Sequence, residues 1–296
     1  MENRKSRSKS DMVFYFLVGL ISILAFLITL YPFIYIISVS FSNSGAVGRG
    51  EVFLFPVGFS LEGYKAVLKQ PNLLSSYGNT LFYTIVGTLM NLVASVMTAY
   101  PLCREKFCAR KVLNFLTVFT MYFSGGLIPT YLVVTQLGLY NSRWVMILPS
   151  LISTYNMMIC RSAFSAIPEE VMESAQIDGA NDLQTLVRIA IHLIKPTLAV
   201  LALYYAVGHW NDYFNALMYL GKEELMPLQV LLRRVLIQNS QEFTTNMTNL
   251  DNADRANIGL QLRYVTIVVT TLPILLVYPF VQKYFVKGVM LGAVKG

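Results

Sequence analysis

What most constrains this chain is where charge is missing. Met12–Gly48, Gln70–Cys103, Val112–Ser142, Trp144–Cys160 and Tyr264–Gln282 carry no Asp, Glu, Lys or Arg, and Lys195 and Lys222 bracket a single charge, Asp212. A bilayer core of about 30 Å is crossed by about 20 apolar helical residues. Lipid offers backbone N–H and C=O groups no partner, so a crossing is a helix or part of a closed barrel. Barrel strands alternate in segments of about ten residues, and these runs do not alternate. Six spans are predicted, at about 13–37, 79–102, 112–135, 144–162, 197–219 and 264–282. The expected fold is an all-α polytopic membrane protein, with a tail at 1–11 and a single transmembrane domain over 12–296.

Composition excludes the other classes. Hydrophobic residues make up 55% and charged residues 13%, with a mean hydropathy of +0.54. That is about half the usual charged share of about 25%. Such a chain can neither clothe a water-facing surface nor stay disordered. The net charge of +7 would suit nucleic acid only if it formed a basic face, and it does not. Four cations sit in the tail (Arg4, Lys5, Arg7, Lys9) and four between 103 and 111 (Arg104, Lys106, Arg110, Lys111), whereas 42–78 holds three. Lys and Arg mark the cytoplasmic side and contact anionic lipid there. Both termini, 103–111 and 163–196 are therefore expected inside, and 42–78, 136–143 and 220–263 outside. The first run is too long for a signal peptide and lacks a small-residue cleavage site, so it reads as a retained helix. Cys103, Cys108 and Cys160 fall on the cytoplasmic side, where thiols stay reduced, and no other ligands accompany them for a metal.

The inward segment 162–196 has its own pattern. Pro168-Glu169-Glu170 reads as a helix start, with proline in the first turn and acids at the positive end of the dipole. Asp178-Gly179 reads as the stop, with Gly179 in a left-handed cap and Asp178 holding the turn or capping the next helix. Asn181 or Asp182 can start a second helix carrying Leu183, Leu186, Val187, Ala190 and Leu193 at helical spacing. On period alone the hairpin could simply rest on lipid headgroups.

The residues say more. Glu173-Ser174-Ala175, Gly179 four positions on, and Ile189 after nine more residues resemble the "EAA" cytoplasmic loop of binding-protein-dependent ABC importer permeases. Ser174 stands at that motif's second position, Ile191 at its Leu and His192 at its Pro. Tyr31-Pro32-Phe33, Phe59-Ser60-Leu61-Glu62-Gly63-Tyr64, Asn79-Thr80, Trp210-Asn211-Asp212-Tyr213-Phe214 and the tail Gly288–Gly296 resemble the sugar-importing, maltose-type branch across nearly the whole chain. Ser124-Gly125-Gly126-Leu127-Ile128-Pro129-Thr130 looks like a branch importing larger oligosaccharides.

The resemblance implies a type I ABC importer permease core with a coupling-helix hairpin, in a bacterial or archaeal cytoplasmic membrane. The implied partners are a second homologous permease, two ATP-binding subunits and an extracytoplasmic sugar-binding protein. ATP and Mg would be used by the ATPase subunits and no cofactor bound by this chain, which has no G-x-x-x-x-G-K-[ST] loop. Glu173, Ser174, Ala175, Asp178, Gly179 and Ile189 would couple to the ATPase, with Glu173 pairing a cation and Ala175 keeping that contact close. Asp212 is the sole acid in a predicted span, and intramembrane acids are functional suspects. Trp210, Asn211, Asp212, Tyr213 and Asn215 form the candidate sugar pathway, since rings and amides suit sugar CH faces and hydroxyls. His209, Asn91, Asn114, Tyr155 and Asn156 are expected to bond between helices. Pro129, Pro149, Pro273 and Pro279 are expected to mark kinks. Rival classes are an importer permease for a non-sugar solute and an ion-coupled secondary transporter. The latter would need several buried ionisable groups or paired repeats.

Overall fold

The computed structural model describes residues 9–70, 72–237 and 257–276. Residues 1–8, the Asn-rich stretch up to 256, the last part of the sixth predicted span with Pro279, and the tail 288–296 lie outside them. The described helices are α1 (Lys9–Ser40), α2 (Ser44–Gly48), α3 (Glu62–Leu68), α4 (Leu73–Cys103), α5 (Arg110–Tyr122), α6 (Leu127–Gln136), α7 (Thr154–Ser165), α8 (Glu169–Ile177), α9 (Asp182–Thr185), α10 (Ile191–Leu193), α11 (Lys195–Trp210), α12 (Phe214–Tyr219), α13 (Leu228–Ile237) and α14 (Asn257–Leu276). A π-helical segment, Leu186–Ala190, joins α9 to α10.

Three of these, α1, α4 and α14, are each long and apolar enough to cross a bilayer. Two bent pairs bring the number to five if each pair is one crossing: α5 with α6, turned by 117°, and Asp182–Leu193 with α11, turned by 82°. The chain falls into two compact units, Met1–Gln70 with Leu232–Leu272, and Pro71–Leu231 with Pro273–Gly296.

In the first unit α1 is apolar around its whole circumference and none of its most apolar window is buried. Its fixed end is the last turn. Ser40 Oγ and Tyr64 Oη lie 2.8 Å apart, Ser42 donates to the Ser38 carbonyl, and Gln261 Nε2 donates to the Ser42 carbonyl at 2.6 Å. Gly63 admits α14 closely, since a Cβ there would lie 2.9 Å from Val265 Cγ2.

In the second unit α4 is the mast, packed along α11 and α7. One core gathers Val96, Ala99 and Tyr100 of α4, Met157, Cys160 and Phe164 of α7, and Leu201 and Tyr205 of α11. A second gathers Tyr83, Val134, Val145, Ala216, Tyr219 and Val230.

Three predicted spans are interrupted. The run read as one helix over 112–135 is two, because Gly126 sits at φ +85° with its N–H bonded to Ser124 Oγ. Pro129 lies in the first turn of α6, where proline is tolerated, so the bend precedes it. The run 144–162 opens with 3₁₀ turns at Arg143–Met146 and Leu148–Ser150, the latter containing Pro149, and becomes α-helical only at Thr154. The run 197–219 stops at Trp210 and resumes at Phe214.

Broken backbone in lipid must find other partners. Asn91 supplies them at the 3₁₀ segment: its Nδ2 donates to the carbonyls of Ser150 (2.7 Å) and Leu151 (2.8 Å), while its Oδ1 meets His209 Nε2 at 2.7 Å. One side chain thus ties α4, the approach to α7, and α11. Gly87 makes room, as a Cβ there would lie 2.5 Å from His209 Nε2. Ser95 Oγ and Tyr205 Oη add a second α4–α11 bond at 2.7 Å. At the break after α11, the Asp212 carboxylate accepts from the Asn215 N–H (3.2 Å) and from its Nδ2 (2.8 Å), bracing the start of α12.

Asn91→Leu, which orphans two carbonyls and His209, is expected to destabilise the fold by about 1–3 kcal/mol. A lowered Tm of the reconstituted protein checks it, and an unchanged Tm refutes the bridge. Asp212→Ala is expected to cost about 1 kcal/mol through the lost acceptor, and Asp212→Asn much less. The same melt compares the pair.

Candidate functional site

The hairpin between α7 and α11 has a buried side and an exposed side. Pro168 is extended at φ −56°, ψ 138°, and α8 follows with Glu169 and Glu170 in its first turn. The helix ends in a Schellman turn: Ala180 N–H donates to the Ala175 carbonyl (2.9 Å) and Gly179 N–H to the Gln176 carbonyl (3.0 Å), with Gly179 at φ +80°. Asn181 then caps the second helix. Its Oδ1 accepts from the Gln184 N–H at 2.8 Å, and Gln184 Oε1 accepts from the Asn181 N–H at 3.0 Å. This reciprocal pair is a capping box.

The inner face belongs to the helix core. Met172, Leu186 and Ala190 join the cluster formed by α4, α7 and α11. Ala175 is buried too. Glu169, Glu170, Glu173, Ser174 and Asp178 are exposed together with apolar side chains, Ile177 at 85% and Leu183 at 68% exposure, and Glu169, Glu173 and Leu183 among them look onto the end of α4. Between the hairpin and the end of α4 lies a cleft of about 920 Å³, with Leu92, Met97, Leu183 and Val187 among its apolar walls and Arg104, Lys106, Glu169, Glu173 and Asp182 at its charged rim.

Each residue singled out by the sequence has a definite place. Glu173 is exposed at the cleft rim. Ser174 donates to the Val171 carbonyl at 3.2 Å. Ala175 is buried within this chain. Asp178 is exposed and is the C-cap residue of α8, its N–H donating to the Ser174 carbonyl at 3.0 Å, while the second helix is capped by Asn181 and Gln184. Ile189 is half-buried within the π segment.

The other candidate group lies at the α11–α12 break. Asp212 and Asn215 bond each other. Trp210 is buried and its indole N–H has no acceptor among the described residues, while Asn211 and Tyr213 are exposed. Among the polar residues within spans, Asn91 and His209 bond each other, Asn114 Oδ1 accepts from Arg161 at 2.5 Å, and Asn156 is buried beside its helix cap, Ser153. Tyr155 is exposed. The sequence missed Arg161 as a partner for Asn114 and missed the apolar half of the hairpin's outer face. Ile177 sits at the helix end beside Asp178-Gly179, and that position was the available signal.

Comparison with known proteins fits this arrangement. Residues 1–291 match the profile of the family described as the binding-protein-dependent transport system inner membrane component. Protein LplC of Bacillus subtilis (strain 168) is 45% identical over 269 residues, covering 91% of this chain and 90% of the relative. The polygalacturonan/rhamnogalacturonan transport system permease protein YtcP of the same organism is 41% identical over 270 residues, covering 91% and 94%. A solved chain from a bacterial ABC transporter involved in importing the acidic polysaccharide alginate superposes with a TM-score of 0.87 at 36% identity, over 95% of this chain and 99% of that one. A membrane-embedded helical core carrying an inward-braced, outward-acidic hairpin, matched over nearly its full length, belongs to the family of inner membrane permease components of binding-protein-dependent transport systems.

Proposed function

We propose that this chain is one of two membrane subunits of an ATP-driven importer of oligosaccharides, and that the hairpin 168–194 transmits the motion of a cytoplasmic ATPase to the helices. The observation that carries this reading is the division of the hairpin. Its buried side chains are locked into the same core as α4, α7 and α11, and its exposed side joins Ile177 to the acids Glu169, Glu170, Glu173 and Asp178. Exposed apolar side chains rimmed by charge suit a partner surface better than water. A force applied to such a face moves the core as a body, because packed interiors deform little. Glu173 would take a charge-assisted bond from a cation on the ATPase. Alternating access then follows as rigid-body rocking.

The rest of the assembly comes from the family resemblance and the cation pattern. A second permease, two ATP-binding subunits that use ATP and Mg, and an external binding protein complete the machine. This chain does no chemistry itself. Both termini and the hairpin lie on the cytoplasmic side, where Lys and Arg are dense. An oligosaccharide cargo is supported by the polysaccharide transport named for YtcP and for the alginate transporter. At the α11–α12 break, Asn211 and Tyr213 are exposed and would be the residues a passing sugar meets; the Asn211 Nδ2 already donates to the Val207 carbonyl at 2.9 Å, and Asp212 and Asn215 bond each other.

In proteoliposomes holding the whole complex, Glu173→Lys is expected to cut uptake about tenfold, equal to about 1.4 kcal/mol of lost coupling. ATP hydrolysis should then no longer respond to loaded binding protein. Normal uptake by this variant overturns the lever. Gly179→Val, forced to φ +80°, is expected to cost about 1–2 kcal/mol and make the turn protease-sensitive before the spans are cut. Limited proteolysis of the reconstituted complex reads that out.

A further inference from the structure

The cleft between α4 and the hairpin carries charges of both signs that the transport reading leaves largely unused. Its wall on α4 runs from Leu92 through Val93, Val96 and Met97 to Arg104. That stretch of helix is about 18 Å long at 1.5 Å per residue, close to one leaflet of a hydrocarbon core about 30 Å thick. Val93 and Met97 are exposed, so the cleft is open along its length. At its mouth Arg104 is held in place. Its Nη2 donates to Tyr100 Oη at 2.6 Å, its guanidinium lies 4.8 Å from the centre of the Tyr100 ring, and Tyr100 is itself buried. Lys106 is exposed on the same lip, and Glu105 between them pairs with Arg110 at 3.4 Å. The opposite lip carries Glu169, Glu173 and Asp182 of the hairpin, all exposed. Among the described residues no ion pair joins the two lips.

We propose that this cleft binds one phospholipid with a primary amine in its headgroup, of the phosphatidylethanolamine class, from the leaflet that receives the C-terminal end of α4. Its phosphate meets Arg104, whose guanidinium is fixed by Tyr100 and keeps donors free to fork onto two phosphate oxygens, with Lys106 adding charge. Its ammonium donates to Glu169 and Asp182 across the mouth, which leaves Glu173 to the subunit contact proposed above. An acyl chain lies along Leu92, Val93, Val96 and Met97. Other occupants fit less well. A loop of a soluble subunit would carry unpaired backbone groups deep into a leaflet, which lipid does not permit. A neighbouring helix at least about 10 Å across displaces about 1,400 Å³ over that length, and the cleft holds about 920 Å³. A lipid with an anionic headgroup alone would set like charge against the hairpin carboxylates, and a choline headgroup has no N–H to give them. The inference depends on α4 crossing the membrane, and not on the cargo or the ATPase.

The test is photocrosslinking in the reconstituted complex, in vesicles of equal parts phosphatidylethanolamine, phosphatidylcholine and phosphatidylglycerol. A benzophenone amino acid replaces Met97, Val93 as a second cleft site, or Phe26 in α1 as the reference for bulk lipid, and adducts are identified by mass. At the cleft sites phosphatidylethanolamine adducts are expected to exceed each of the other two several-fold relative to Phe26. Asp182→Asn with Glu169→Gln is expected to abolish the preference over phosphatidylglycerol, and Arg104→Gln to return all three to the Phe26 proportions. Polypeptide adducts at both cleft sites, lipid proportions equal to those at Phe26, a preference for either other lipid, or no lipid adduct where Phe26 gives one overturns the proposal. Uptake plays no part in this readout, so failure here leaves the importer assignment untouched, and loss of uptake in the Glu173 variant says nothing about the lipid.

Discussion

The proposed coupling depends on the joint where the hairpin enters the helix core. Met172 from one arm and Leu186 and Ala190 from the other are packed among α4, α7 and α11. A loop hung from two helix ends would absorb a push as local bending. A loop whose inner side chains share the core of the spans cannot move without them. The Schellman turn at Gly179 and the capping box at Asn181 serve the same end, since they leave the bend with few backbone groups to rearrange.

The interruptions in the spans show a second economy. Lipid forbids unsatisfied backbone, yet three predicted crossings are broken. At each break a short polar side chain stands in for the missing ladder: Ser124 before α6, Asn91 opposite Ser150 and Leu151, and Asp212 before α12. Polar residues in apolar helices suggest substrate contact when read singly. Here most of them have a structural partner, and Asp212, the acid that drew the most attention, braces a helix start.

Much of this was legible in the sequence because the signals were chemical and local. Charge-free runs marked the membrane, and Pro168, Gly179 and Asn181 placed the hairpin's start, turn and restart through backbone geometry that few other residues satisfy. The breaks were less legible. Ser124-Gly125-Gly126 and Pro149 were visible, but hydropathy counts apolar residues and is blind to the direction of the chain. The burial of Ala175 depended on which side of the hairpin met the core, a tertiary choice that the motif alone leaves open.

The Asn91 bridge also bears on how the protein is made. Its partners lie 59, 60 and 118 residues further along the chain. When α4 leaves the ribosome none of them exists, and a bare amide in hydrocarbon is costly. The helix therefore gains its full affinity for the bilayer only after His209 has been synthesised. Because α4 is by itself apolar enough to enter the bilayer, what waits for His209 is the pairing of that amide, so the docking of α4, α7 and α11 would be completed as one late event.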